Sequence, residues 1–291
     1  MSDTDIVYEG YTAAGLAESL NVEVTIDDLP AYQQENGVLS AAARERLPGN
    51  CNIAYGPEDI QKLDIFAPEG DRLPVLIDIH GGGWRAGSKD GRSMIAEAIT
   101  GAGALWVPID YGLAPDHRMD QIVNQVRTAL AWVYNNIAEH GGDPDRIFVS
   151  GNSAGGHLTG TILMPGWHGD YGVPEDVVKG ACAMSGIFDL RALYHADGGY
   201  KVELGLDLPT AESFSPLLHL PENGCPLIIG YGAPELDEFR RQSHVYYEAW
   251  KNAGFDATEV IVDGAHHFAM SRELANTGGK LHKNLVEIMN N

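Results

Sequence analysis

The sequence predicts an α/β protein with a mostly parallel central sheet and helices on both faces. Three observations carry this. Short apolar runs alternate with segments of helical periodicity, the pattern of strand–helix–strand units. Glycine-rich turns follow two of the apolar runs, HGGGW at 80–84 and GNSAGG at 151–156. The length, 291 residues, suits one large α/β domain better than two ordinary ones, because such sheets often run to about 250 residues as one unit.

Residues 1–50 differ from the rest. They hold polar stretches, a β-like VEVTI (Val22–Ile26) and a helix-like LSAAARERL (Leu39–Leu47) ending at Pro48-Gly49. They read as an N-terminal extension packed on a catalytic domain of residues 51–291. From Ile53 the α/β pattern begins. Leu63–Phe66 and Pro74–Ile79 are expected strands, and the second, PVLIDI, is the short apolar run of a buried strand. Arg92–Gly101 is expected as a modest helix and Ala104–Ile109 as a strand. Over 120–138, apolar residues from Ile122 and Val123 to Val133 and Ile137 recur with the helical period, and Gly141-Gly142 ends the run. Arg146–Ser150 reads as a strand and Ala154–Leu163 as a helix. Lys179–Met184, Pro226–Tyr231 and Ala257–Val262 are further strands; Glu238–Ala253 and about Ser271–Met289 are the helices between and after them. Function in such sheets collects at the carboxyl ends of the strands. The loops after Ile79, Ser150, Tyr231 and Val262 are therefore where chemistry is sought.

Charge narrows the function classes. The chain has 19 Lys and Arg against 41 Asp and Glu, a formal net charge of −22. Nucleic-acid binding needs a concentrated basic surface, and no basic block exists here. An anionic membrane surface is disfavoured for the same reason. The longest apolar runs are far shorter than the roughly 20 residues that span a bilayer. The start, MSDTDIVYEG, has neither a basic nor an apolar leader region. Cys51, Cys182 and Cys225 lie far apart and make neither a disulfide framework nor a metal motif. A cytoplasmic protein is expected, without metal or cofactor, acting on a small molecule; a homodimer is compatible with the sequence.

The turn Gly151-Asn152-Ser153-Ala154-Gly155 is G-x-S-x-G placed between a strand and a helix. A sharp strand-to-helix turn lifts a serine hydroxyl above the sheet and puts the Ala154 amide where it meets a developing oxyanion. The bare pattern arises by chance about once in six such sequences, so its position carries the weight. The run His80-Gly81-Gly82-Gly83 is rarer, with a chance of about 0.02. Its glycines let backbone amides approach a substrate closely, and Gly82 and Gly83 are expected to join Ala154 in an oxyanion hole. It lacks the spacing and the following Lys of a phosphate loop. His80 is expected to anchor the loop rather than act as a base. A serine nucleophile needs a histidine and an orienting carboxylate, in chain order Ser, acid, His. Only His266 and His267 follow a late strand. Glu235, Asp237 and Glu238 follow the strand before it; Glu235 is nearest the strand end, and Asp237 could equally cap the next helix. Trp84 and Phe268 flank these segments and are expected at the pocket, with Trp167 in the loop 165–172 as a further candidate.

These residues resemble the α/β-hydrolase superfamily, most of all its kynurenine formamidase (arylformamidase) branch and the hormone-sensitive-lipase-like esterases. The resemblance runs from about residue 30 to the C-terminus. It rests on HGGGW, DYGLAP (110–115), GNSAGGH, MSGIFDL (184–190), SP (215–216), PELDEFRRQS and the final HHF. It implies an α/β-hydrolase fold and a Ser–acid–His triad with no metal. Carried over by position, the nucleophile is Ser153, the base is His267 just before Phe, and the acid is Glu235, three residues before the Glu-Phe pair. Formamidases usually have Asp there, which keeps Asp237 as the alternative acid. They also often carry a bulkier residue at the third glycine of HGGGW. The implied activity is cleavage of a small aryl formamide, amide or short-acyl ester through an acyl-enzyme. A general carboxylesterase is the alternative, and a non-catalytic ligand-binding protein on the same fold is the third reading.

Overall fold

The computed structural model describes residues 5–47 and 49–291. Residues 1–4 and Pro48, the proline of the expected helix stop, lie outside the described residues. A small hairpin, β1 (Ile6–Tyr8) and β2 (Tyr11–Thr12), leads into a sheet of eight strands. These are β3 (Asn50–Ala54), β4 (Lys62–Ile65), β5 (Leu73–Ile79), β6 (Leu105–Ile109), β7 (Gly142–Asn152), β8 (Val178–Met184), β9 (Leu227–Gly232) and β10 (Ala257–Val262). Across the sheet they run β10-β9-β8-β7-β5-β6-β4-β3. The strands from β10 to β6 pair in parallel, and β4 and β3 add antiparallel at one edge.

The apolar runs are continuous because both faces of the central strands are covered. In β5, Val75, Ile77 and Ile79 enter one core while Leu76 enters the other; in β6, Leu105 and Val107 oppose Trp106 in the same way. The helices are α1 (Ala13–Ser19), α2 (Leu29–Arg46), α3 (Ala96–Gly101), α4 (Met119–Asn136), α5 (Ala154–Leu163), α6 (Arg191–His195), α7 (Tyr200–Glu203), α8 (Leu208–Ser213), α9 (Asp237–Asn252) and α10 (Lys280–Asn290). Ile122 and Val126 of α4, Leu158 of α5 and Trp250 of α9 fill the first core, and Ile99 of α3 with Leu281 and Leu285 of α10 fill the second. Among the described residues no helix is long and apolar enough to cross a membrane.

Several expected elements differ from those observed. Val22–Ile26 is not a strand: Val22–Thr25 is a 3-10 turn, and Val24 stands 68% exposed. Among the described residues no strand pairs with this segment, and a strand needs that ladder. The helix expected at Leu39–Leu47 is the second half of α2. Asp28 starts it by accepting the Ala31 amide at 2.9 Å, with Pro30 in the first turn, a start signal that lies well upstream of Leu39. The segment Arg92–Gly101 divides into a 3-10 stretch, Lys89–Ile95, and α3. The helix expected from Ser271 to Met289 is broken at Thr277-Gly278-Gly279, leaving a 3-10 stretch, Ala269–Ala275, before α10. β3 went unread because it is an exposed edge strand with little apolar content.

The N-terminal residues lie against the main sheet's surroundings. Arg44 of α2 donates to Asp64 at 2.7 Å and to Ser93 at 2.8 Å. Tyr8 of β1 donates to buried Asp189 at 2.9 Å. The strands deliver Ile79, Asn152, Met184, Gly232 and Val262 to one edge of the sheet. The site forms there.

Candidate active site

Ser153 sits at the turn between β7 and α5 with φ 56° and ψ −122°. That backbone is strained for a residue with a side chain and is held by its surroundings. The Ser153 amide donates to Met184 O at 2.8 Å, tying the turn to β8. Gly155 lets the turn close: a Cβ there would stand 2.0 Å from Ile79 O. The hydroxyl is thus presented above the strand ends.

Two further strand-end loops meet it. His267, in the loop after β10, places Nε2 2.8 Å from Ser153 Oγ and Nδ1 2.7 Å from Glu235 Oε2. A carboxylate only accepts, so Nδ1–H donates to Glu235 and Nε2 is left to accept from the serine hydroxyl. Glu235 Oε1 accepts from Ser185 Oγ at 2.6 Å and from the Gly232 amide at 2.7 Å. Glu235 and His267 are both about 3% exposed, so their charge-assisted bond is little screened. Phe239 packs on the imidazole with ring centroids 4.4 Å apart. Asp237, the alternative acid, is not brought to the histidine. It stands in the first turn of α9, largely exposed, and pairs with Arg240.

The HGGGW loop lies across from the serine. Gly82 has φ 116° and a Cβ there would sit 2.0 Å from Ala86 O; Gly83 has φ 61°. Only glycine fits the first position, and both backbones favour it. The loop folds tightly because the Arg85 and Ala86 amides donate to Gly82 O at 3.1 and 3.0 Å. Gly82, Gly83 and Ala154 border the same cavity as Ser153. His80 anchors the loop as expected of it. It is buried, stacks on Tyr111 at 4.3 Å, and donates from Nδ1 to Gly81 O at 2.7 Å. Burial pushes its pKa down to about 4, so it stays neutral.

Beneath the site lies a buried ion pair that the sequence reading missed. Arg92 Nε and Nη2 donate to the two oxygens of Asp78 at 2.9 and 3.0 Å. Ser150 adds a bond to Asp78 at 2.9 Å, and Arg92 Nη1 reaches Asn152 Oδ1 at 3.2 Å and Ser271 O at 3.0 Å. The pair joins β5, the serine turn and the segment after His267. Its signal was Asp78 itself, a lone carboxylate inside PVLIDI. Ser185 carries no such signal in MSGIFDL, because its partner Glu235 lies 50 residues away.

Ser153 and His267 open into a cavity of about 690 Å³. Its walls include Trp84 and Phe268, with Tyr32, Tyr200, Ile187 and Phe239. Trp84 is 3% exposed and meets His157 and Tyr200 edge-on. Trp167 does not line this cavity. It is buried between His168, stacked at 4.1 Å, and the Arg127 guanidinium at 5.1 Å, and its indole N–H donates to Ile162 O at 3.1 Å. The loop 165–172 packs against α4 and α5 instead of turning to the strand ends.

The mostly parallel eight-stranded sheet flanked by helices, with a G-x-S-x-G turn between a strand end and a helix, is the α/β-hydrolase fold. The chain belongs to the BD-FAE family, which matches residues 63–235. Kynurenine formamidase of Salmo salar is 30% identical over 244 residues, 82% of this chain and 81% of that protein. That of Danio rerio is 28% identical over 243 residues, with the same coverage. A solved structure of a putative thioesterase from Silicibacter superposes with a TM-score of 0.82 at 25% identity, over 96% of this chain and 100% of that one. An esterase from Pyrobaculum calidifontis shares the fold, with a TM-score of 0.70 at 21% identity over 94% and 93% of the two chains. The chain is a hydrolase with formamidases and esterases among its relatives.

Proposed function

We propose that this hydrolase cleaves small aryl formamides, and short-acyl esters alongside them, through an acyl-enzyme on Ser153. The observation that carries the reading is the hydrogen-bonded series Glu235–His267–Ser153 at 2.7 and 2.8 Å, opening into a largely apolar cavity. Ser153 Oγ attacks the carbonyl carbon as His267 Nε2 takes its proton. The carbonyl oxygen, now an oxyanion, is met by the amides of Gly82, Gly83 and Ala154. The imidazolium, stabilised by Glu235, returns the proton to the leaving amine or alcohol. Water, deprotonated by the same imidazole, then releases the acid and restores the hydroxyl. Loss of one oxyanion donor in such a site typically lowers the rate about 10²–10³-fold.

Two observations favour a small acyl group on an aromatic leaving group. Tyr200 stands against the glycine loop, its hydroxyl 2.9 Å from where a Cβ on Gly83 would lie, so the space beside the oxyanion site is short. Aromatic side chains, Trp84, Tyr32, Tyr200, Phe239 and Phe268, stand among the polar residues that line the rest of the cavity, and its volume has ample room for an aromatic leaving group. The formamidase relatives add support for a formyl group. The test compares hydrolysis of N-formylkynurenine and p-nitrophenyl acetate by the wild type and Ser153→Ala. The proposal expects both reactions to vanish with Ser153 and the formamide to have the higher kcat/KM. Cleavage of the ester alone would replace it with a general carboxylesterase; retained turnover in Ser153→Ala would remove the nucleophile.

A further inference from the structure

His267 rests on an irregular loop, between β10 and the 3-10 stretch Ala269–Ala275, and on no regular element of its own. A general base must be held to within about 0.5 Å of its working position. The grip therefore comes from neighbours. On the sheet side Arg92 holds Ser271 O at 3.0 Å. On the outer side the grip comes from α2, far away in sequence. Tyr32 Oη donates to the carbonyl of Phe268, the residue after His267, at 3.2 Å. The Tyr32 ring meets the ring of His266, the residue before it, edge-on at 5.4 Å. Arg272 closes the arrangement from the loop's far end. Its guanidinium lies 4.0 Å over the Tyr32 ring, Nε donates to Asn36 Oδ1 at 2.6 Å, and Nη2 donates to Glu35 Oε2 at 2.7 Å.

We infer that α2 positions the catalytic histidine: Tyr32 and Arg272 are positioning residues that fix the 266–272 loop from outside, so the N-terminal segment completes the catalytic geometry as well as walling the cavity. The inference rests on His267 acting as the base. Neither residue bonds to His267 itself. Each acts on the backbone or rings beside it, so its loss lets the imidazole wander without removing a reacting group. The same helix lines the cavity through Tyr32, Gln33 and Asn36. A defect in substrate binding and a defect in positioning are separable there, because the first appears in KM and the second in kcat.

The experiment measures kcat, KM and Tm with p-nitrophenyl acetate for wild type, Tyr32→Phe, Arg272→Lys, Arg272→Ala and Ser153→Ala. Tyr32→Phe keeps the ring and removes one hydrogen bond, so kcat should fall about five-fold with KM nearly unchanged and Tm within about 2 °C. Arg272→Ala should lower kcat about ten-fold, with Arg272→Lys between it and wild type. Wild-type kcat in both Tyr32→Phe and Arg272→Ala, with Ser153→Ala inactive, overturns the positioning role and leaves the triad standing. So does a change confined to KM, or a loss of kcat that follows the loss of Tm. Activity in Ser153→Ala defeats the reading beneath it.

Discussion

At Glu235 one carboxylate answers three donors. Oε2 takes His267 Nδ1, while Oε1 takes Ser185 and the Gly232 amide. The glutamate side chain folds back onto its own strand end, which is why its extra methylene over aspartate is accommodated. Asp237 faces solvent two residues on. Replacing Glu235 by Gln should therefore lower kcat about 10⁴-fold, the loss found when the orienting acid of a triad is neutralised. Asp237→Asn should stay within about two-fold, since exposed pairs contribute little. Steady-state kinetics on both variants check this, and the reverse ranking would move the acid to Asp237. Ser153, His267 and, beside Asp237, Glu235 were legible as candidates because each lies in a loop after a strand end. Ser185 and the Asp78–Arg92 pair were not. Their partners lie 50 and 14 residues away in sequence, and only the tertiary fold brings them together.

Elements were legible where burial writes a pattern and obscure where it does not. The strands from β5 to β9 lie in the middle of the sheet, and their apolar runs announced them. α4 was visible because its buried stripe, from Ile122 to Val133, repeats at helical spacing. α2 was half seen, because only Ser40 and Ala43 of its side chains are buried and no apolar stripe marks its length. Yet α2 is the element that carries the positioning inference. Its contacts are hydrogen bonds and ring edges from Tyr32, Glu35 and Asn36, and no period in the sequence encodes those. Trp167 was misplaced for a related reason: an aromatic residue in a glycine-rich loop reads alike whether it faces a pocket or packs on a neighbouring helix.

For the molecule as a whole, buried histidines set an acid limit on stability. Burial pushes His80 and His157 each down to about 4 from the usual 6.5. Between those values the unfolded chain binds two protons that the folded chain refuses, so stability falls as pH drops from 6.5 to 4. Asp110 acts in the opposite sense. Burial raises it to about 6 from 3.8, so the folded chain holds a proton there that the unfolded chain lacks, which offsets roughly one histidine. The lowered His168, His195 and His266 act in the same direction as His80 and His157, so the net effect is a loss of stability toward acid. Urea unfolding at pH 7 and pH 5 should show the lower midpoint at pH 5. Equal midpoints would mean that one of these histidines charges within the fold.

A serine nucleophile activated by His267 reacts with a serine-directed aryl phosphonate, and Ser153 is the residue on which that reaction is expected. The hydroxyl attacks phosphorus, the aryl alcohol leaves, and the adduct is located by peptide mass spectrometry. One adduct on Ser153, absent in Ser153→Ala and formed far more slowly in Glu235→Gln, is the expected result. No adduct on the wild type, or an adduct on another residue, would contradict the account.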